Sequence, residues 1–258
     1  MILVIDVGNT NIVLGCIQDG KQIFSARLSS DRQKTSEEYA LSIGGILRMH
    51  GVDPKDIEGG ILSSVVPYLR SVLPAAIKLL TDAELMVVGS GIRTGLNIRM
   101  DDPATVGSDL IVSAVAAKDK YKTPLAIIDM GTATTLVVID QKGDYIGGMI
   151  IPGLWVSLNS LSSQAAQLPH IDLNAPAKLL GKNTVDCMRA GSLLGCAAML
   201  DGLLDRVEEE MGEPIHAVLT GGVAPLILPY CRRELHLEPD LLIHGLWLLY
   251  EKNKKQSA

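Results

Sequence analysis

Ile2-Leu3-Val4-Ile5-Asp6-Val7-Gly8-Asn9-Thr10 is the stretch that decides the fold. An apolar, largely β-branched run ends in an acid, and a Gly-Asn-Thr turn follows. A second apolar run, Ile12 to Ile17, is then closed by Asp19-Gly20. This reads as a hairpin whose tip suits ligand contact. An aspartate at a buried strand end is costly unless it is paired, hydrogen-bonded or facing a cation. Gly8 lets backbone N–H groups approach a phosphate, and Asn9 and Thr10 supply small hydrogen-bonding side chains. On this stretch alone, a plain polar turn with a capping aspartate explains the residues equally well.

The same order returns in Leu125-Ala126-Ile127-Ile128-Asp129-Met130-Gly131-Thr132-Ala133-Thr134, with Asp129 standing 123 residues after Asp6. A second strand (Thr135 to Ile139), a turn at Lys142-Gly143-Asp144 and a third strand complete the unit. Two such openings, each heading about half of the chain, predict duplicated α/β domains over residues 1–117 and 118–258, facing each other across a cleft.

With 47% hydrophobic and 20% charged residues, the 258-residue chain is expected to be globular rather than disordered. Mean hydropathy is positive, yet no uninterrupted apolar stretch reaches the length of a membrane span, so no membrane partner is expected. The first residues enter a strand without a basic leader, which argues against a secretory signal. A formal charge of −6 argues against a nucleic-acid surface, while leaving room for an anionic ligand at a local site. Cys16, Cys187, Cys196 and Cys231 have no C-x-x-C spacing and read as buried free thiols of a reducing cytoplasm.

Between the openings the pattern predicts strands at Lys21–Leu28, Ile57–Val66 and Glu84–Val88. Helices are expected from Ser36 to about His50 and from Pro67 to about Thr81. The first half therefore reads β-β-β-α-β-α-β, with crossovers that favour parallel strands. Gly89 to Val106 is irregular, and a loop of that length is usually functional or mobile. Helices follow at about Ala104–Ala117, from Pro152-Gly153 to about Gln167, and at Thr184–Met211. The last of these carries Gly191, Gly195 and Gly202, which suggest close helix or subunit packing. A strand at Ile215–Leu219 runs into Thr220-Gly221-Gly222, and a final amphipathic helix spans Asp240–Lys254. The basic tail of Lys252, Lys254 and Lys255 reads as a solvated helix end.

Two acidic hairpins and a later Gly-Gly turn resemble the actin-like ATPases, sugar kinases and heat-shock chaperones. There is no G-x-x-x-x-G-K-[ST], which excludes P-loop chemistry. The likeness implies ribonuclease-H-like domains, each opening with a three-strand antiparallel meander, with Gly221 and Gly222 meeting the adenosine of ATP. An ordered set narrows it: Thr94-Gly95-Leu96-Asn97-Ile98-Arg99, Pro103, Val106-Gly107-Ser108-Asp109, Asp129-x-Gly-Thr-Ala-Thr, Gly147-Gly148, Pro152-Gly153, Gly181-Lys182-Asn183-Thr184 and Thr220-Gly221-Gly222. This resembles the type III pantothenate kinases over nearly the whole chain.

The resemblance implies ATP-dependent phosphorylation of pantothenate to 4′-phosphopantothenate, the first step toward coenzyme A. It implies that Asp6, Val7, Gly8, Asn9, Thr10, Asn11, Ile12 and Val13 hold the ATP phosphates, with Asp6 toward Mg²⁺. Asp109 would be the general base, Asp129 the ligand of a monovalent cation (K⁺ or NH₄⁺), and Thr132 an ATP contact. Met100, Gly107, Ser108, Asp109, Leu110 and Thr184 would line the pantothenate pocket, in a homodimer with its sites at the subunit interface. The chemistry agrees, because an alcohol attacking a γ-phosphate needs a carboxylate in reach and cations against the developing charge. Taken without the resemblance, Asp109 reads first as a helix-start acid favoured by the dipole.

The chain departs from the family in reading Gly-Ser-Asp-Leu where Gly-Ala-Asp-Arg is usual, and Met100 where an aromatic is usual. Leu110 cannot pair with a substrate carboxylate as an arginine would. Arg93 or Arg99 could supply that charge, although Arg99 reads equally as a solvated loop residue. Two other readings follow: a paralogous kinase with an altered or lost acceptor, and a non-catalytic nucleotide-binding actin-like protein.

Overall fold

A computed structural model describes Met1 to Lys254. In chain order the elements are β1 (Ile2–Val7), β2 (Asn11–Gln18), β3 (Lys21–Ser29), α1 (Ser36–Met49), β4 (Gly59–Ser64), α2 (Leu69–Lys78), β5 (Leu85–Val87) and α3 (Ser108–Lys120). They continue as β6 (Leu125–Met130), β7 (Ala133–Ile139), β8 (Tyr145–Pro152), α4 (Leu154–Gln164), α5 (Thr184–Met211), β9 (His216–Thr220), α6 (Ala224–Ile227), β10 (His236–Leu237) and α7 (Leu241–Asn253). The order foreseen for the first half is the order found.

Each opening is an antiparallel meander extended by parallel strands. One sheet runs β3-β2-β1-β4-β5 and the other β10-β9-β6-β7-β8. The chain divides into two compact units: residues 1–96, 101–119 and those from Asp240 onward, and residues 97–100 and 120–239. This corrects the expected boundary at residue 117, because α7 returns to the first unit.

In the first unit, alternation along β1 sends Leu3, Ile5 and Val7 to one face, against Tyr39, Ile43 and Leu47 of α1 and Leu69, Leu73 and Ile77 of α2. Val4 faces the other way and packs with Ile61 of β4, Val112 of α3 and Ile243, Leu246 and Leu249 of α7. Burying each of those large α7 side chains contributes roughly 1.5–3 kcal/mol, enough to fix where that helix docks. Two glycines permit the close approach: a Cβ at Gly245 would stand 2.2 Å from the Val112 carbonyl, and one at Gly15 2.9 Å from Ile243. Helix α1 starts with a capping box, Thr35 accepting from the Glu38 N–H while Glu38 accepts from the Thr35 N–H.

The segment leading to α3 differs from expectation. Asp102 accepts from the Ala104 N–H and caps a short 3₁₀ turn, Pro103–Thr105. Val106 is extended and the Gly107 carbonyl accepts the Ile111 N–H, so α3 starts at Ser108 and not at Ala104.

In the second unit, Ala126, Ile128, Met130, Leu136 and Leu219 pack against Leu193, Ala197, Leu200, Leu204 and Val207 of α5. Against expectation, α5 is long and apolar enough to cross a membrane by length and composition. Its Leu193, Ala197, Leu200, Leu204 and Val207 lie in this core, and a third of the apolar window is buried. Gly191 and Gly195 have nothing within 4 Å of a Cβ position, so no packing in the described chain explains them. Of the cysteines Cys16 is buried, Cys196 and Cys231 are half-buried, and Cys187 is exposed on the first turns of α5. Lys255 of the expected basic tail lies outside the described residues.

Candidate active site

Strand alternation decides what surrounds Asp6. It lies on the same face of β1 as Val4, the face covered by α3 and α7, and is buried. Its register partner on β4 is Ser63, which shares that face with Ile61 and is fully buried. The Ser63 hydroxyl lies 3.0 Å from that of Ser108, the first residue of α3. Asp109 follows at once, so the end of β4, beside the end of β1, is joined to the start of α3 through two side-chain oxygens within one unit.

The Asp109 carboxylate is tightly placed. Its Oδ1 accepts the Leu110 N–H at 2.9 Å, and a Cβ on Gly107 would stand 2.5 Å from that oxygen. Burial pushes the carboxyl above its ordinary range, against the opposing pull of the Leu110 and Asp109 N–H groups. An acid raised by desolvation, half-buried at a helix start, is a group suited to taking a proton.

At the hairpin tip the Gly8 N–H donates to the Asn11 carbonyl at 2.9 Å, and Ser30 Oγ donates to the Gly8 carbonyl at 2.6 Å. The Gly8 N–H thus closes the turn, with the glycine leaving no side chain over the tip. Asn9, Thr10 and Asn11 are exposed at the tip, and Asn9 Oδ1 accepts from Arg32 at 3.2 Å. Ile12 is fully buried and belongs to the core.

The second unit repeats the device. The Gly131 N–H donates to the Ala133 carbonyl at 3.0 Å, closing a turn one residue shorter than the first. Asp129 pairs in register with Thr135 of β7 and Thr220 of β9. Gly221 follows at φ +97°, where a Cβ would lie 2.6 Å from Asp129 Oδ1 and from the Met130 nitrogen and carbonyl oxygen. The Gly-Gly turn is therefore pressed against the acidic turn. Gly153 supports it from the other side, its N–H donating to the Thr132 carbonyl at 3.2 Å, with no room for a side chain beside Gly131 and Thr132. Thr132 is exposed, and so is Thr184 at the start of α5 behind the cap Asn183.

Met100 lies in the short segment 97–100 of the second unit, where Ile98 bridges to Tyr145 of β8. Arg99 makes an exposed ion pair with Asp144 at 3.7 Å, at the end of β8 remote from Gly131 and Thr132. Leu110 stays with Asp109 in the first turn of α3.

Sequence reasoning missed Ser63 and Asn253. The buried Asn253 accepts the Arg93 N–H at 2.9 Å and donates to the Arg93 carbonyl at 3.1 Å, clamping the start of the irregular segment to α7. For Ser63, the small-residue run Gly59 to Ser64 was the available signal. For Asn253 none existed, since a polar residue near a helix end is unremarkable without its partner.

Among the described residues, no group of three or more His, Cys, Asp or Glu side chains forms a metal cage. Asp6 fits Mg²⁺ in the way that ion is often held, by one carboxylate with substrate phosphates and water. Asp129, at the matching turn of the second unit, carries the hard oxygen donors that a monovalent cation takes.

A family model for type III pantothenate kinase matches residues 2–206. A type III pantothenate kinase of Moorella thermoacetica is 42% identical over 253 residues, covering 98% of this chain and all of the relative. One from an Exiguobacterium species is 43% identical over 255 residues, covering 99% and 100%. Among solved structures, the activator of the 2-hydroxyisocaproyl-CoA dehydratase from Clostridium difficile shares the fold at a TM-score of 0.57 and 14% identity, over 99% of this chain and 96% of that one.

Proposed function

Because this chain belongs to the type III pantothenate kinase family, we infer that it phosphorylates pantothenate with ATP, the first step of coenzyme A biosynthesis. The fold is that of the actin-like ATPases and sugar kinases. The observation that carries the assignment of the base is the half-buried carboxyl of Asp109, raised by burial and placed next to Ser108, whose hydroxyl meets Ser63, the strand neighbour of Asp6.

Asp109 takes the proton of the pantothenate hydroxyl as its oxygen attacks the γ-phosphorus. The bond between that phosphorus and the β,γ-bridging oxygen breaks, and its electron pair leaves with ADP. Residues Asp6 to Val13 hold the phosphates. Thr132, Gly221 and Gly222 meet the nucleotide, where the positive φ of Gly221 allows close backbone approach. Asp6 would hold Mg²⁺ and Asp129 would hold K⁺ or NH₄⁺, which would supply positive charge against the phosphates. Met100, Gly107, Ser108, Leu110 and Thr184 line the acceptor side.

The protein acts in the cytoplasm as a homodimer, with neither membrane nor nucleic acid as partner. The dimer reading rests on α4 and α5. Trp155, Val156 and Leu161 are exposed on α4, and a largely apolar cavity of about 520 Å³ lies between the two helices, lined in part by Gly191 and Gly195. Sedimentation giving a monomer at micromolar concentration would overturn it.

The function is tested by ADP release with ATP, Mg²⁺ and K⁺, with and without pantothenate, for the native chain and for Asp109→Asn. Pantothenate-dependent release that falls roughly 10²- to 10⁴-fold in the variant is expected. Release in the native chain independent of pantothenate would refute the acceptor, and full turnover in the variant would refute the base.

A further inference from the structure

We propose that Arg32, on the loop that follows β3, is a phosphate-binding residue of the nucleotide site. The inference rests on the tip between β1 and β2 holding the ATP phosphates. Three observations converge. The loop is tied to the tip, because the Ser30 N–H donates to the Thr10 carbonyl at 2.9 Å and Ser30 Oγ donates to the Gly8 carbonyl at 2.6 Å. It is also anchored in the core. Tyr39 is fully buried, and its hydroxyl accepts the Asp31 N–H and donates to the Asp31 carbonyl, each at 2.8 Å. The Gln33 N–H closes on Asp31 Oδ1 at 2.8 Å, and the capping box at Thr35 fixes the far end. Residue 32 therefore stands on backbone that is pinned on both sides of it. Lastly, the exposed Arg32 reaches the tip itself, donating to Asn9 Oδ1 at 3.2 Å. Among the described residues it has no carboxylate partner.

Charge gives this contact its meaning. Residues 6–13 contain one acid and no lysine or arginine, in a chain whose formal charge is −6. A triphosphate approaching such a tip meets no positive side chain of the tip's own, so a cation must come from beside it. Arg32 is the cationic side chain bonded to the tip. Its guanidinium has five N–H donors in a planar fork and uses one on Asn9, which leaves four for an anion. The Asn9 amide, with its oxygen engaged, keeps its two N–H donors for the same anion. The bond thus presents both side chains as donors toward one ligand, on a loop already ordered before that ligand arrives.

The test uses the full chain, native and with Arg32→Ala, Arg32→Lys and Arg32→Glu. Affinities for MgATP and for adenosine are read by ligand-observed NMR titration, beside KM for both substrates and the melting temperature. Arg32→Ala is expected to weaken ATP binding roughly tenfold, as loss of a charge-assisted hydrogen bond does. Adenosine affinity and KM for pantothenate stay within about twofold, and the melting temperature stays near native because the side chain is exposed. Arg32→Lys keeps part of the affinity, having the charge without the fork, and Arg32→Glu loses more than the alanine variant. Added salt narrows the gap between native and Arg32→Ala. Native ATP affinity in Arg32→Ala would overturn the inference. So would an equal loss for ATP and adenosine with a lowered melting temperature, which would make Arg32 a prop of the loop, or a raised KM for pantothenate alone, which would place it on the acceptor side. A native chain that binds ATP no more tightly than adenosine removes the phosphate role of the tip and this inference together. Weakened ATP binding in Arg32→Ala beside ADP release independent of pantothenate removes the acceptor and leaves the inference standing.

Discussion

Gly107→Ala should separate activity from stability. A Cβ at residue 107 would stand 2.5 Å from Asp109 Oδ1, under the 3.0 Å that real Cβ contacts essentially never cross. The backbone there is not in the left-handed region, so no dihedral strain is added. The clash falls on the end of one side chain, which must move by about half an ångström or more and stretch its 2.9 Å bond from the Leu110 N–H. A displacement approaching 1 Å at a reacting group costs up to ~10²-fold in rate. Stability moves the other way, because replacing glycine stiffens the unfolded chain by roughly 0.4–1 kcal/mol. The lost hydrogen bond offsets that by about as much. The expected outcome is a melting temperature near the native value with kcat reduced roughly 10- to 100-fold, read by thermal unfolding and coupled ADP release on one preparation. Native kcat would show that the position of the carboxylate is not critical. A large loss of melting temperature would show that Gly107 serves the fold and would refute the reasoning.

Gly221→Ala combines a positive φ with backbone atoms of Met130 at 2.6 Å and should cost roughly 2–5 kcal/mol in denaturant titration, with a raised KM for ATP; a cost under about 1 kcal/mol would contradict the packing. Asn253→Ala removes both bonds to the Arg93 backbone and a third to the Leu249 carbonyl, and should destabilise by about 1–3 kcal/mol; an unchanged melting temperature would show the clamp to be idle. The pH dependence has a definite sign. The folded value of Asp109 is raised, so the folded chain holds that proton more tightly, and the stabilisation is present at low pH and lost as pH rises from the ordinary carboxylate value through the raised one. Asp109→Asn should therefore melt above the native chain near neutral pH, with the difference shrinking on acidification; a difference constant with pH would show that the carboxyl is not desolvated.

The acidic turns were legible because a β-branched run ending in Asp-x-Gly has few other uses, and its repetition removed the remaining doubt. The position of α3 was half legible. Asp109 was placed at a helix start, but Pro103 invited an earlier beginning, and the extended Val106 confines that turn to residues 103–105. The docking of α7 was not legible, since an amphipathic stripe says that a face is buried without saying against which sheet. The hydroxyl pair was invisible for the same reason, being a contact between residues 45 apart in sequence. Arg99 is instructive in reverse: as a residue it could serve a substrate, and only its pairing with Asp144 gives it another partner.

The return of α7 to the first sheet also bears on biosynthesis. On the ribosome β1 emerges among the first residues, yet the helix that covers Val4, Ile17 and Ile61 is made only after the whole second unit. Until then that face of the nascent sheet has only α3 over it, and the rest is an apolar patch of the kind that chaperones bind and that aggregates when synthesis stalls. A chain cut short before Asp240 would retain both acidic turns and still lack a finished first unit, so quality control would meet it as a misfolded protein before its chemistry could matter.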